Sequence, residues 1–112
     1  MRIAVLYIAD CPNHGPTVER VRKVLQSVGV RATVEQEAIR TEQDAQMWRF
    51  LGSPTVRVNG QDIEPEARSA QQFGFGCRSY RENGRRAGMP SEELIRRAIQ
   101  AAIGKPHPAS PE

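Results

Sequence analysis

Residues 2–29, "RIAVLYIADCPNHGPTVERVRKVLQSVG", decide the fold. The stretch opens on an apolar run, Arg2 to Ala9, that is apolar on both faces before it meets Asp10 and Cys11. Strands covered on both sides read this way, so a central strand is predicted. After Cys11 the period changes. Val18, Val21, Val24, Leu25 and Val28 recur at helical spacing, with Glu19, Arg20, Arg22 and Lys23 on the other side. Gly29 is a natural C-terminal stop. Pro16 would remove a hydrogen bond deep inside a helix, so the first turn is expected near Asn13, a good N-cap.

The same logic extends outward. "VRATVEQEAI" (30–39) alternates at Val30, Ala32 and Val34 and reads as a second strand, parallel to the first through a right-handed crossover. "TEQDAQMWRFLG" (41–52) opens with Thr41 and Asp44 at capping-box spacing and predicts a short helix, with Trp48 and Leu51 on one face and Met47 and Trp48 in the core. In "SPTVRVNGQDIE" (53–64), Val56 and Val58 alternate with Thr55 and Arg57, and Asn59-Gly60 is a strong hairpin turn. From Glu64 to Met89 no element is signalled, and so long a stretch is usually functional or disordered. A last helix follows: Ser91 is the N-cap, Glu92 and Glu93 suit its first turn, and Leu94, Ile95, Ala98, Ile99, Ala102 and Ile103 form its apolar face up to Gly104. The pattern is βαβ, α, ββ, α: an α/β protein with a four-stranded mixed sheet and a long loop before the last helix. Residues 1–104 read as one domain. "KPHPASPE" (105–112) reads as a disordered Pro-rich tail, in which His107 has no assigned role.

A chain of 112 residues suits a single domain that folds without a disulfide. It is 38% hydrophobic and 26% charged, with a net charge of +3, which does not argue for nucleic acid or a membrane surface. No apolar run is long enough for a membrane span, and the N-terminus alternates like a strand rather than a signal peptide. A cytoplasmic location is therefore expected. In a reducing compartment the two cysteines are expected to be reactive or metal-binding rather than structural.

Cys11 falls at the carboxyl end of the first strand and just before a helix. Reactive groups gather at such strand ends, and the partial positive charge of a helix N-terminus favours a thiolate. The strand, Cys11-Pro12-Asn13-His14 and the helix together resemble the active-site segment of thioredoxin-like proteins. "FLGSPT" (50–55) strengthens the resemblance: Pro54, preceded by Ser53, matches the cis-proline that faces the catalytic cysteine in that family. With the distal Cys77-Arg78-Ser79-Tyr80-Arg81, the chain is most similar to small bacterial thioredoxin-like proteins, some of which carry selenocysteine in the place of Cys11.

The resemblance implies a three-layer thioredoxin-like fold and a nucleophilic Cys11. It implies a substrate groove shaped by Pro12, Ser53, Pro54 and Thr55. His14 stands where dithiol members carry a second cysteine, so Cys11 either acts alone or is resolved by Cys77. Closing that pair would be worth about 4 kcal/mol in the loop-entropy model. His14 either assists proton transfer or simply faces solvent. Asp10 reads as solvated. Arg78 and its neighbouring arginines either attract an anionic thiol or form a solvated face. The leading expectation is a thiol-dependent oxidoreductase with no cofactor, acting on a protein disulfide or a low-molecular-weight thiol.

Two alternatives stand beside it. Two distant cysteines with a proton-carrying residue near the first are similar to the arrangement in organomercurial lyases, which implies mercury or copper held by Cys11 and Cys77. An inert, buried Cys11 would instead imply a non-catalytic thioredoxin-like binding module.

Overall fold

The computed structural model describes residues 1–104; the expected tail at 105–112 lies outside the described residues. The elements in chain order are β1 (Arg2–Tyr7), α1 (His14–Val28), β2 (Thr33–Ala38), α2 (Glu42–Met47), β3 (Thr55–Val58), β4 (Gln61–Asp62), a 3-10 turn (Pro65–Ser69), β5 (Tyr80–Glu82), β6 (Arg85–Ala87) and α3 (Glu92–Gly104). Strands β1 to β4 form one mixed sheet in the order β2-β1-β3-β4. β1 runs parallel to β2, with Val5 opposite Gln36, and antiparallel to β3, with Val5 opposite Val56.

The central place of β1 follows from its composition. Alternate residues of a strand face opposite ways, and β1 has apolar side chains on both faces. Ile3 and Val5 enter the larger core with Val18, Val21 and Val24 of α1, Val56 of β3, and Ile95 and Ile99 of α3. Leu6 faces the other way, into a smaller cluster with Ile39, Ala45 and Phe50. Each fully buried aliphatic side chain contributes about 1.5–3 kcal/mol, so the sheet is held from both faces.

Local signals set the ends of α1. Gly29 takes φ 71°, its N–H reaches Gln26 O, and the N–H of Val30 reaches Leu25 O, closing the helix as a Schellman motif. Asn13 precedes α1 but makes no side-chain capping bond. α2 opens where expected, the Thr41 hydroxyl accepting from Asp44 N–H at 3.0 Å. It ends after only 6 residues, and Arg49 at φ 53° turns the chain away. That turn exposes Met47 (74%) and Trp48 (40%), so neither is in the core; Phe50 is buried instead. In α3 the Ser91 hydroxyl caps Leu94 N–H, while Ile103 on the expected apolar face is exposed.

The stretch from Glu64 to Met89 is structured. It holds the 3-10 turn and a second hairpin, β5–β6, separate from the main sheet. Asn83 (φ 53°) and Gly84 (φ 75°) make its turn, with the same chemistry as Asn59 (φ 51°) and Gly60 (φ 85°). Among the described residues no helix is long and apolar enough to cross a membrane.

Candidate functional site

The site is built around Ser53. Leaving α2, the chain passes Gly52 at φ 114° and enters β3 through a cis peptide between Ser53 and Pro54. The Ser53 hydroxyl accepts from Ile8 N–H at 3.0 Å. Ile8 O in turn accepts from Cys11 N–H at 2.9 Å, closing the turn that carries Cys11 out of β1. On its other side the Ser53 N–H donates to Gly76 O (2.9 Å), and Ser53 O accepts from Arg78 N–H (3.0 Å). This makes a parallel bridge between Ser53 and Cys77. One buried serine therefore connects the Cys11 turn to the segment of Cys77. Cys11 is half-buried, Cys77 is exposed, and both are free thiols. Among the described residues neither sulfur makes a hydrogen bond, including to His14.

The approach at Gly52 demands glycine. A Cβ there would lie 2.8 Å from Arg78 Cβ and 2.9 Å from Cys77 O, at a φ that L residues rarely adopt. Further along, the Phe73–Gly76 strip is pinned to α2 and its exit: Gly74 N–H donates to Phe50 O, Phe75 N–H to Glu42 Oε1, and Gln46 Nε2 to Phe73 O. Beside Cys77 this leaves an open depression of about 430 Å³, floored by Leu51, Gly52, Phe73 and Phe75.

A buried polar network holds Cys77 in register from below. Arg78 forms a bidentate pair with Asp62 (2.7 and 2.9 Å), reaches Glu64 at 2.8 Å, and donates to Thr55 Oγ1 at 3.2 Å. Its guanidinium also lies 4.4 Å from the centre of the Tyr80 ring. Thr55 Oγ1 donates to Gly52 O at 2.6 Å, and Tyr80 Oη donates to Pro54 O at 2.6 Å. Burial works against the Arg78 charge, but the bonds to Asp62 and Glu64 outweigh it and raise its pKa above the ordinary arginine value. Burial pushes the Tyr80 phenol well up from its usual pKa, with the Arg78 charge pulling the other way.

The expected site residues divide accordingly. Ser53, Pro54 and Thr55 are buried and hold backbone together, so their side chains do not face solvent as groove walls. Arg78 is also buried, because two carboxylates claim it; it belongs neither to a solvated face nor to a surface anion patch. His14 neither faces open solvent nor bonds Cys11. Its ring stacks on Tyr7 at 3.5 Å, and Nε2 bonds Gln36 Oε1 at 2.7 Å, which leaves Nδ1 as the remaining ring nitrogen. Pro12 and Asp10 are exposed.

Asp62, Glu64 and Tyr80 were not foreseen as parts of the site. A signal existed: Asp62 and Glu64 flank buried Ile63, and such closely spaced carboxylates beside a core strand need a cation. Gly88 was also missed; a Cβ there would press on the end of the Asn13 side chain, which can swing aside, so the end of the second hairpin meets the Cys11 turn through that side chain. Among the described residues no three His, Cys, Asp or Glu side chains gather as a metal cluster.

Residues 15–99 match a family model described as a domain of unknown function (DUF2703), and the chain belongs to that family. The matched span holds Ser53, Pro54, Cys77 and Arg78 and begins after Cys11. No curated protein and no solved structure matches the chain.

Proposed function

We propose that this member of the DUF2703 family is a thiol-dependent oxidoreductase of thioredoxin-like, three-layer architecture, with Cys11 as nucleophile and Cys77 as resolving thiol. The observation that carries this reading is the position of Ser53. Its hydroxyl holds the base of the Cys11 turn, and its backbone holds Cys77, beside a cis-proline. Two free thiols brought to one residue from positions far apart in the chain have little structural purpose while they remain reduced. They suit a pair that cycles between dithiol and disulfide.

Cys11, at the tip of β1 and before α1, is the half-buried thiol of the pair. It attacks a disulfide and expels one thiolate, leaving a mixed disulfide; Cys77 then attacks Cys11 Sγ, expels the second thiolate and closes the Cys11–Cys77 bond. An external dithiol restores the pair, so the cycle needs no cofactor. His14, stacked on Tyr7 and tied to Gln36, fixes the first turn of α1, and a proton it carries passes through Nδ1. Such chemistry belongs in a reducing compartment, which supports a cytoplasmic location. The substrate is a protein disulfide or a low-molecular-weight one.

The test is acid-quenched mass spectrometry of the reduced chain mixed with 2-hydroxyethyl disulfide. The expected result is a transient adduct on Cys11 that gives way to an internal disulfide. In Cys77→Ser the adduct accumulates, and in Cys11→Ser it does not form. A chain that leaves Cys11 unmodified, or whose Cys77→Ser variant clears the adduct equally fast, would refute the reading and favour an inert binding module. One equivalent of mercury bound jointly, and lost in either serine variant, would favour metal chemistry instead.

A further inference from the structure

Two features beside the thiols narrow what they act on. The first is an edge that is already filled. An extended peptide docks by pairing its backbone with open N–H and C=O groups on a strand edge. At Ser53 both groups are taken, by Gly76 O and Arg78 N–H of the same chain. The Arg78 pairs with Asp62 and Glu64 lock that occupant in place. A polypeptide substrate would have to displace the segment that carries the resolving thiol.

The second feature is the hairpin that joins the two thiol segments. β5 begins at Tyr80, just beyond Cys77, and Gly88, just after β6, lies against Asn13 in the Cys11 turn. On this hairpin Arg81 stands directly opposite Arg86. Directly opposed residues of an antiparallel pair project on the same face, and like charges there are destabilising. Both are exposed, and among the described residues neither they nor Arg85 forms a salt bridge. The hairpin's own carboxylate, Glu82, is occupied with the Ser91 N–H and hydroxyl. Nothing within the hairpin offsets the repulsion, whereas an anion between the two guanidiniums would.

We propose that the substrate is a small disulfide bearing carboxylates, held by Arg81 and Arg86, and not an extended polypeptide; this rests on the thiol reading above. Cys11 thiolate attacks one substrate sulfur, the substrate S–S bond breaks, and one thiolate leaves. Cys77 thiolate attacks Cys11 Sγ in the mixed disulfide and expels the second thiolate. The protons given up by Cys11 and Cys77 end on the two released thiols. The substrate gains two electrons, the Cys11–Cys77 pair loses them, and an external dithiol returns them.

The experiment compares single-turnover rates of the reduced full chain at low salt with four probes: oxidised glutathione (anionic), 2-hydroxyethyl disulfide (neutral), cystamine (cationic) and a neutral disulfide-bonded peptide. The anionic probe is expected to react about tenfold faster than the neutral one, the scale of electrostatic steering, and the cationic one more slowly. The anionic-to-neutral ratio should shrink at high salt and approach one in the Arg81→Gln/Arg86→Gln double variant. Charge reversal, Arg81→Glu/Arg86→Glu, should turn the preference toward cystamine. An anionic-to-neutral ratio near one in the unaltered chain, a ratio that survives the double variant, or a peptide disulfide faster than both the anionic and neutral small probes would overturn the proposal. Failure of the neutral probe to react at all would instead fall on the thiol reading, and this proposal would go with it.

Discussion

The protein has two hairpins built on the same Asn-Gly turn and held by opposite means. β3–β4 belongs to the main sheet: Val56 and Val58 are buried, and β3 pairs with β1 along its length. β5–β6 has no apolar alternation and no sheet to join. It is fastened by individual polar groups: Tyr80 to Pro54 O, Glu82 to Ser91, and Arg78, just before it, to Asp62 and Glu64. The apolar hairpin supplies the rigid floor of the site. The polar one brings Cys77 to that floor and leaves its arginines outside. A hairpin held by a few directional bonds has a definite position but little redundancy, so single substitutions in it should have outsized effects.

The largest is expected at Arg78. Arg78→Ala leaves Asp62 buried without its partner, and breaking one side of a buried pair costs about 3–5 kcal/mol. Urea unfolding reads the loss, and the register of Cys77 against Ser53 should fail with it. A cost below about 1 kcal/mol, the range of exposed pairs, would mean that the network does not fasten the hairpin.

Next is Gly52→Ala, which forces a Cβ against Arg78 and the Cys77 carbonyl at a strained φ. The expected loss is about 1–3 kcal/mol, together with slower closure of the Cys11–Cys77 bond. Alanine at Gly60, where no atom lies within 4 Å, is the matched control: it carries the backbone strain without the collision, so closure should keep its rate.

Tyr80→Phe should cost about 1 kcal/mol through the lost bond to Pro54 O. It should also change the alkaline limb of stability. In the folded chain Tyr80 keeps its proton beyond its ordinary pKa of about 10, where the unfolded chain releases it. The contribution is therefore complete below about pH 10 and is lost as pH rises above it. Unfolding midpoints between pH 9 and 11 should fall more steeply in the wild type than in Tyr80→Phe; parallel slopes would contradict the buried phenol.

Much of this was legible in the sequence, for a physical reason. β1, α1, β2, the β3–β4 hairpin and Cys11 at the strand tip are local features, each written in a periodicity, a cap or a turn pair. The second hairpin was not read although it carries Asn83-Gly84, because Arg81, Glu82, Arg85 and Arg86 give no strand alternation. Its anchors lie at Pro54 and Asp62, which no local window contains. The convergence of Cys77 on Ser53 depends on the same distant pairings. Trp48 was misplaced because helical spacing was carried past a helix that stops at Met47, and Met47 because it lies on the exposed side of that last turn. The smallest effect returns to the hairpin surface: Arg86→Gln should stabilise the chain by a few tenths of a kcal/mol by removing the charge opposite Arg81. A loss would indicate a partner for Arg86 in the fold.

The central claim is that the fold delivers two distant thiols to each other. Its most direct measurement is a native redox titration of the full chain in dithiothreitol buffers, alkylated and digested at each potential and read by mass spectrometry. The account predicts a single reversible two-electron transition in which one species, the intramolecular Cys11–Cys77 disulfide, replaces the two free thiols. Two cysteines that oxidise independently, or that pair only between chains, would contradict it.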